Sequence, residues 1–162
     1  MSKSLRLRLP VVVLVVAAIG FSAGSAPASP PATVSGSFVY TDSWFESFRS
    51  AGGNAIIELR ATVEYTGTFT GTSEVHGKLI VHADGSANFH DVEVFTGTVN
   101  GVPGTVTLNL AGSNDSALNL KATSTIISAT GALAGLHGTL KLAGSVKVPQ
   151  GPFGTYSGLI GG

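Results

Sequence analysis

Histidine is the residue type in this 162-residue chain best suited to chemistry near neutral pH, because four are present and cysteine is absent. Three of them, His76, His82 and His90, flank Asp84-Gly85, a dipeptide that favours a two-residue hairpin loop. That loop would set Lys78 opposite Asp91 and His76 opposite Glu93, as ion pairs on the solvent side. His82 would share their face and His90 would take the other, so the two could not hold one metal ion, and no metal site is expected. His90 and Asn88 would then lie with Val75, Leu79, Val81, Val92 and Val94, the set expected to line an interior. There a histidine is either a hydrogen-bonded core residue or a polar handle for a small ligand. Tyr40 and Trp44 share a parity with Phe38 on the first expected strand and would line the same cavity. The ligand-binding candidates are therefore His90, Asn88, Tyr40 and Trp44; no catalytic residue and no cofactor are expected.

Other constellations lack the context their chemistry requires. Serine, histidine and aspartate are present, but no serine sits in a strained elbow motif, so no catalytic triad is read. Asp84-Gly85-Ser86 is turn chemistry before it is calcium chemistry. The glycine-rich turns lack a following helix or a lysine and cannot cradle phosphate. Without thiols there are no disulfides, thiolate metal sites or cysteine nucleophiles. Nine basic residues balance nine acidic ones, a charge pattern with no footprint for nucleic acid or an anionic membrane.

The elements that must position these residues are strands. Ile57, Leu59, Ala61, Val63 and Tyr65 alternate with Glu58, Arg60, Thr62 and Glu64, the pattern of a strand with one face in a core. Val106, Leu108 and Leu110 repeat it, as do Leu140, Leu142, Val146 and Val148. Counting such runs gives eight or nine strands, near 34–45, 55–66, 68–82, 86–99, 103–112, 117–128, 137–148 and 153–160, with a break foreseen at Gly71. Residues 47–54 read as a longer loop with one helical turn. A segment beginning Thr96-Gly97-Thr98-Val99 recurs from Thr130-Gly131-Ala132-Leu133, each copy reading as a strand end, a turn and the next strand. With 22 glycines and no crossover helices, the fold expected is all-β: a single antiparallel eight-stranded barrel, with a closed sandwich as the fallback.

Upstream, Lys3, Arg6 and Arg8 precede an apolar run from Leu9 to Phe21, followed by Ala26-Pro27-Ala28. This is the layout of a secretory signal peptide over residues 1–28, then a flexible leader over 29–32 and a barrel over 33–162. Secretion is the expected fate, with an N-terminal membrane anchor as the alternative and no span left after cleavage.

Ser43-Trp44, Ala61-Thr62-Val63, Ala83-Asp84-Gly85-Ser86-Ala87-Asn88-Phe89, Phe95-Thr96-Gly97-Thr98 and the run from Thr130 to Gly138 resemble a family of small uncharacterised bacterial domains. That family is similar in expected shape to the allene oxide cyclase barrel, and the resemblance covers Thr33 to Leu159. It implies an eight-stranded barrel with no assigned activity, commonly without a leader. This chain departs by its export signal and by His137, where family members often carry a basic residue. The function expected is a non-enzymatic barrel that takes a small apolar molecule into its lumen or serves as an extracellular structural module, alone or as a homo-oligomer. One alternative is an allene oxide cyclase-like isomerase or cyclase, which needs an inward carboxylate; Glu58 and Glu64 are expected to face outward. Another is a protein or glycan interaction module built on an outer patch of Ile80, Phe89 and Phe95.

Overall fold

Eight strands make up most of residues 30–162, the part of the chain that this computed structural model describes. The expected signal peptide lies outside the described residues. In order the strands are β1 (Ala32–Ala51), β2 (Asn54–Gly67), β3 (Phe69–Val81), β4 (Ala87–Val99), β5 (Val102–Asn114), β6 (Asn119–Gly131), β7 (His137–Lys147) and β8 (Gly151–Gly161). Each pairs antiparallel with the next, and β8 returns to β1, which closes the ring into a barrel. Chain-order pairing follows from turns too short for any crossover. Closure leaves backbone donors and acceptors paired around the ring as far as Val39 of β1, as the sequence leads one to expect.

The period-two runs bury most of the face they foretell; Leu59 and Val146 are half-buried, and Val148, expected on the inner face, lies past the end of β7 and is 76% exposed. Ile57, Ala61, Val63 and Tyr65 on β2, Val106, Leu108 and Leu110 on β5, and Leu140 and Leu142 on β7 are all buried. Gly71 does not interrupt β3, which continues through it paired to Gly97.

The hairpin between β3 and β4 departs from expectation by one residue. His82 N–H bonds to the Ser86 carbonyl at 2.8 Å and Gly85 N–H to the His82 carbonyl at 3.0 Å, so the loop holds three residues rather than two. Gly85 takes φ +83°, the left-handed residue that ends such a loop. Asp84 fixes this choice: its Oδ1 accepts from the Ser86 backbone N–H at 2.9 Å and from the Ser86 hydroxyl at 2.7 Å. The shift sets Gly77 opposite Asp91 and Lys78 opposite His90, and it turns every side chain of β4 to the face contrary to expectation.

A second departure lies between β1 and β2. The expected loop at 47–54 is instead strand: β1 runs to Ala51, which pairs with Asn54 across Gly52-Gly53, both at positive φ. Bulges at Thr41 and Glu46 bend this long strand. Its ladder with β8 ends at the Val39–Phe153 pair, so from Tyr40 onward β1 projects past its neighbour.

Candidate functional site

Antiparallel connectivity gives the barrel two ends. The lower carries the turns at Gly67-Thr68, Asn100-Gly101 and residues 132–136; the upper carries those at Gly52-Gly53, residues 82–86, residues 115–118 and residues 148–150. The lower lumen is filled by Tyr65, Phe69, Phe95 and Tyr156, packed edge to face: Tyr65–Phe95 at 5.9 Å, Phe69–Phe95 at 5.4 Å and Phe69–Tyr156 at 5.8 Å between ring centroids. The Tyr156 hydroxyl accepts from the Phe69 N–H at 2.8 Å and donates to the Thr66 carbonyl at 3.1 Å, so its polar end is satisfied inside the core.

Above this block the lumen is hollow. A cavity of about 460 Å³ is lined by Tyr40, Leu59, Leu79, Phe89 and Leu120, with Asp91 on its wall and Trp44, Phe45, Lys147 and Val148 at its mouth. That is ample for a small organic molecule. Trp44 and Phe45 are 51% and 65% exposed, which is unusual for large rings on a strand. The bulge at Thr41 sets Ser43 and Phe45 on the inward parity opposite Ala61 and Leu59, and Trp44 stands opposite outward-facing Arg60 at the rim.

Asp91 and Glu93 are the polar core of this arrangement, being only 5% and 1% exposed. They are alternate residues of β4 and therefore point the same way. Glu93 sits one step deeper, where Tyr65 donates its hydroxyl to Oε2 at 2.8 Å. Asp91 accepts no hydrogen bond of this kind. Its carboxyl occupies the space over Gly77, where a Cβ would collide with Oδ1. A glycine in mid-strand is thus what admits the carboxyl to the wall.

Burial pushes Glu93 up to about 7, against the Tyr65 hydrogen bond and a weaker pull from Ser73, whose buried hydroxyl falls short of hydrogen-bond geometry. Desolvation likewise raises Asp91 to about 7, and the negative charge of Glu93 adds to the rise. Tyr40 and Tyr65 are raised well above 10 by burial and then by Glu93, so both phenols are neutral. The result is a pair of buried carboxyls, Asp91 in the chamber wall and Glu93 beneath it, that exchange protons near neutral pH, a property common at functional sites.

Of the four sequence candidates, the structure brings two to this chamber. Tyr40 lines it and Trp44 stands at its mouth. His90 and Asn88 are corrected: the one-residue longer loop turns both outward, where Asn88 donates to His82 Nε2 at 2.8 Å and His90 stands beside Lys78. The same inversion removes the pairings foreseen for His76 and Lys78. His76 instead lies 3.2 Å from Glu46, the bulged residue of β1, which also binds Arg60 at 2.9 Å, and Lys78 lies 3.8 Å from Glu58. These exposed pairs contribute little. Phe89 and Phe95 turn inward, so the outer patch imagined with Ile80 does not exist. Glu58 and Glu64 do face outward, but the inward carboxylate they fail to supply is present as Asp91 and Glu93.

The family model for proteins of unknown function called DUF3224 matches residues 34–147, from β1 through β7. The chain belongs to the DUF3224 family. Among solved structures, the crystal structure of a DUF3224 protein of unknown function from Shewanella oneidensis MR-1 is similar, with a TM-score of 0.60 and 20% identity over 81% of this chain and 96% of that one. At that identity the likeness is one of fold. No curated protein matches the sequence. The DUF3224 barrel of this chain thus joins a packed lower lumen to a hollow upper one with Asp91 in its wall.

Proposed function

We propose that this DUF3224 domain is an exported binding module that takes a small, largely apolar molecule into its upper lumen. The observation that carries the reading is the contrast of a 460 Å³ chamber with the aromatic packing directly beneath it. A sequence that fills half a lumen with interlocking rings has the means to fill the rest, yet Leu59, Leu79 and Leu120 stand back from one another around open space. Apolar surface held open gains free energy when a ligand removes it from water. Export is supported by the basic start and apolar run that precede the barrel.

Native mass spectrometry of the mature protein from culture medium tests this. A stoichiometric small-molecule adduct, or one acquired on incubation with a metabolite extract, is expected. Trp44 is the only tryptophan, so its fluorescence should shift as the mouth is occupied. A mass that stays bare and a spectrum that stays fixed would leave the chamber without a ligand.

The inward carboxylates favour one second reading, a proton-transfer isomerase or cyclase acting on an apolar substrate. Asp91 would be the proton-moving group and Tyr40 a neutral donor to a developing oxyanion. Exchange of the α protons of an apolar ketone into deuterated water, lost in Asp91→Asn, is its test.

A further inference from the structure

Asp91 is the one acidic group lining the chamber, with Glu93 buried a step beneath it, and the one basic group is Lys147 at the mouth. Around Asp91 the facing groups can be named strand by strand: Tyr40 from β1, Leu59 from β2, Gly77 across on β3, Glu93 on β4 itself and Leu110 across on β5, with Tyr65 a step deeper on Glu93. Lys147, at the end of β7, lines the mouth, but among the described residues it forms no ion pair with Asp91. Elsewhere in this barrel acidic groups find partners: Glu46 with Arg60 and His76, Glu58 with Lys78, Asp84 with Ser86 and Asp115 with Asn119. Glu93 has Tyr65. Among the described residues, Asp91 alone combines deep burial, access to the cavity and no hydrogen-bonded or oppositely charged partner.

Aromatic rings supply the second observation. Tyr40 and Phe89 line the chamber with Asp91, and Trp44 and Phe45 frame its entrance. Ring faces attract a cation and repel an anion, and a carboxylate set among rings is the recurrent surroundings of a bound organic ammonium group. A neutral apolar guest would leave Asp91 unsatisfied, which is costly for a buried carboxylate, whereas an ammonium group would pair with it.

Resting on the binding reading above, the geometry points to a specific ligand class: an amine with an apolar body, its ammonium group against Asp91 and its hydrocarbon part among Leu59, Leu79, Phe89 and the rings of the mouth. Because Asp91 and Glu93 titrate near neutral pH, capture of such a ligand would release a proton from the pair and would weaken as the solution is acidified. The sign follows from the cation's preference for ionised carboxylate.

The test compares three probes of equal chain length, n-octylammonium, n-octanol and n-octanoate, by calorimetry and Trp44 fluorescence on the mature protein. At pH 8 the ammonium should bind at least tenfold more tightly than the alcohol, and octanoate most weakly. At pH 5 the ammonium advantage should shrink several-fold, and near pH 7 the binding enthalpy should vary with the ionisation heat of the buffer. Asp91→Asn should abolish the preference for ammonium while octanol still binds, which also shows that the variant is folded. Equal affinity for octanol and octylammonium at pH 8, or a preference that survives Asp91→Asn, would overturn the amine assignment and leave the apolar chamber standing. Failure of all three probes to bind would overturn both.

Discussion

The lower and upper halves of the lumen are made by the same eight strands with the same alternation, yet one is packed with rings and the other is open. In the lower half β1 lies between β2 and β8, and aromatic side chains from β2, β3, β4 and β8 meet at centroid distances of 5.4 to 5.9 Å. In the upper half β1 has outrun β8 and carries two bulges, so its aromatic residues lean over the opening instead of closing it. Two buried carboxyls occupy the level between. Stability therefore resides below and the capacity to accept a guest above.

Truncating one ring from each half should separate them most sharply. Tyr65→Ala removes a ring from the packed block and the donor from Glu93, and should cost about 3–5 kcal/mol. Phe89→Ala, beside existing empty space, should cost under about 2 kcal/mol. Urea unfolding of the two variants checks this, and equal losses would erase the distinction between the halves.

The dependence on pH locates the boundary. Asp91 and Glu93 are raised above their unfolded values, so the folded state binds more protons than the unfolded chain between about pH 4 and 7. Stability is accordingly fully present below the unfolded values and is lost as pH rises toward 7, by several kcal/mol for the pair, since each unit of displacement is worth about 1.4 kcal/mol. Asp84 and Asp115 act oppositely and at lower pH, being held down by hydrogen bonds to Ser86 and Asn119. A melting temperature that falls from pH 5 to pH 8 in the native chain and is nearly flat in Asp91→Asn/Glu93→Gln is expected. A native profile that rises over that interval would place the carboxyls in a wetter setting.

Gly77 tests the same boundary from the opposite strand. Gly77→Ala drives a methyl group into the Asp91 carboxyl and should cost about 1–3 kcal/mol. In a double-mutant cycle, adding Asp91→Ala should recover much of that loss, a coupling that independent sites would not give. Smallest of all should be Trp44→Ala, within about 0.5 kcal/mol in thermal unfolding, because the ring is half in solvent.

How much of this was legible in the residues depended on whether the two parities of a strand differ. In β2, β5 and β7 one parity is apolar and the other polar, and their faces follow directly. In β4 both are mixed: Phe89, Asp91, Glu93 and Phe95 on one, Asn88, His90, Val92 and Val94 on the other. A two-residue loop at Asp84-Gly85 puts the valines inside, and the acids on the other parity argue the same way. The larger area of two phenylalanines outweighs two valines, and the acids go inside with them. Two signals pointed to this arrangement: Ser86 placed to bind Asp84, which lengthens the loop, and Gly77 in mid-strand, which leaves room for a carboxyl. Tyr40 was legible because β1 is regular to that point, whereas the bulge at Thr41 breaks the parity that Trp44 was expected to share with it, so Trp44 reaches the mouth from the outward face, and neither bulge has a sequence signature as plain as a glycine pair.

The stretch of β1 beyond Val39 carries a kinetic consequence. Its backbone is bonded on the β2 side alone, and every residue from Thr41 to Ala51 is exposed. Such a segment opens by local fluctuation at a small fraction of the free energy that protects the ring, and its amides should exchange with solvent long before those of β4 or β5. The doorway can therefore widen without disturbing the floor, and the rate at which a guest enters or leaves is set by the fraying of one hairpin rather than by the lifetime of the barrel.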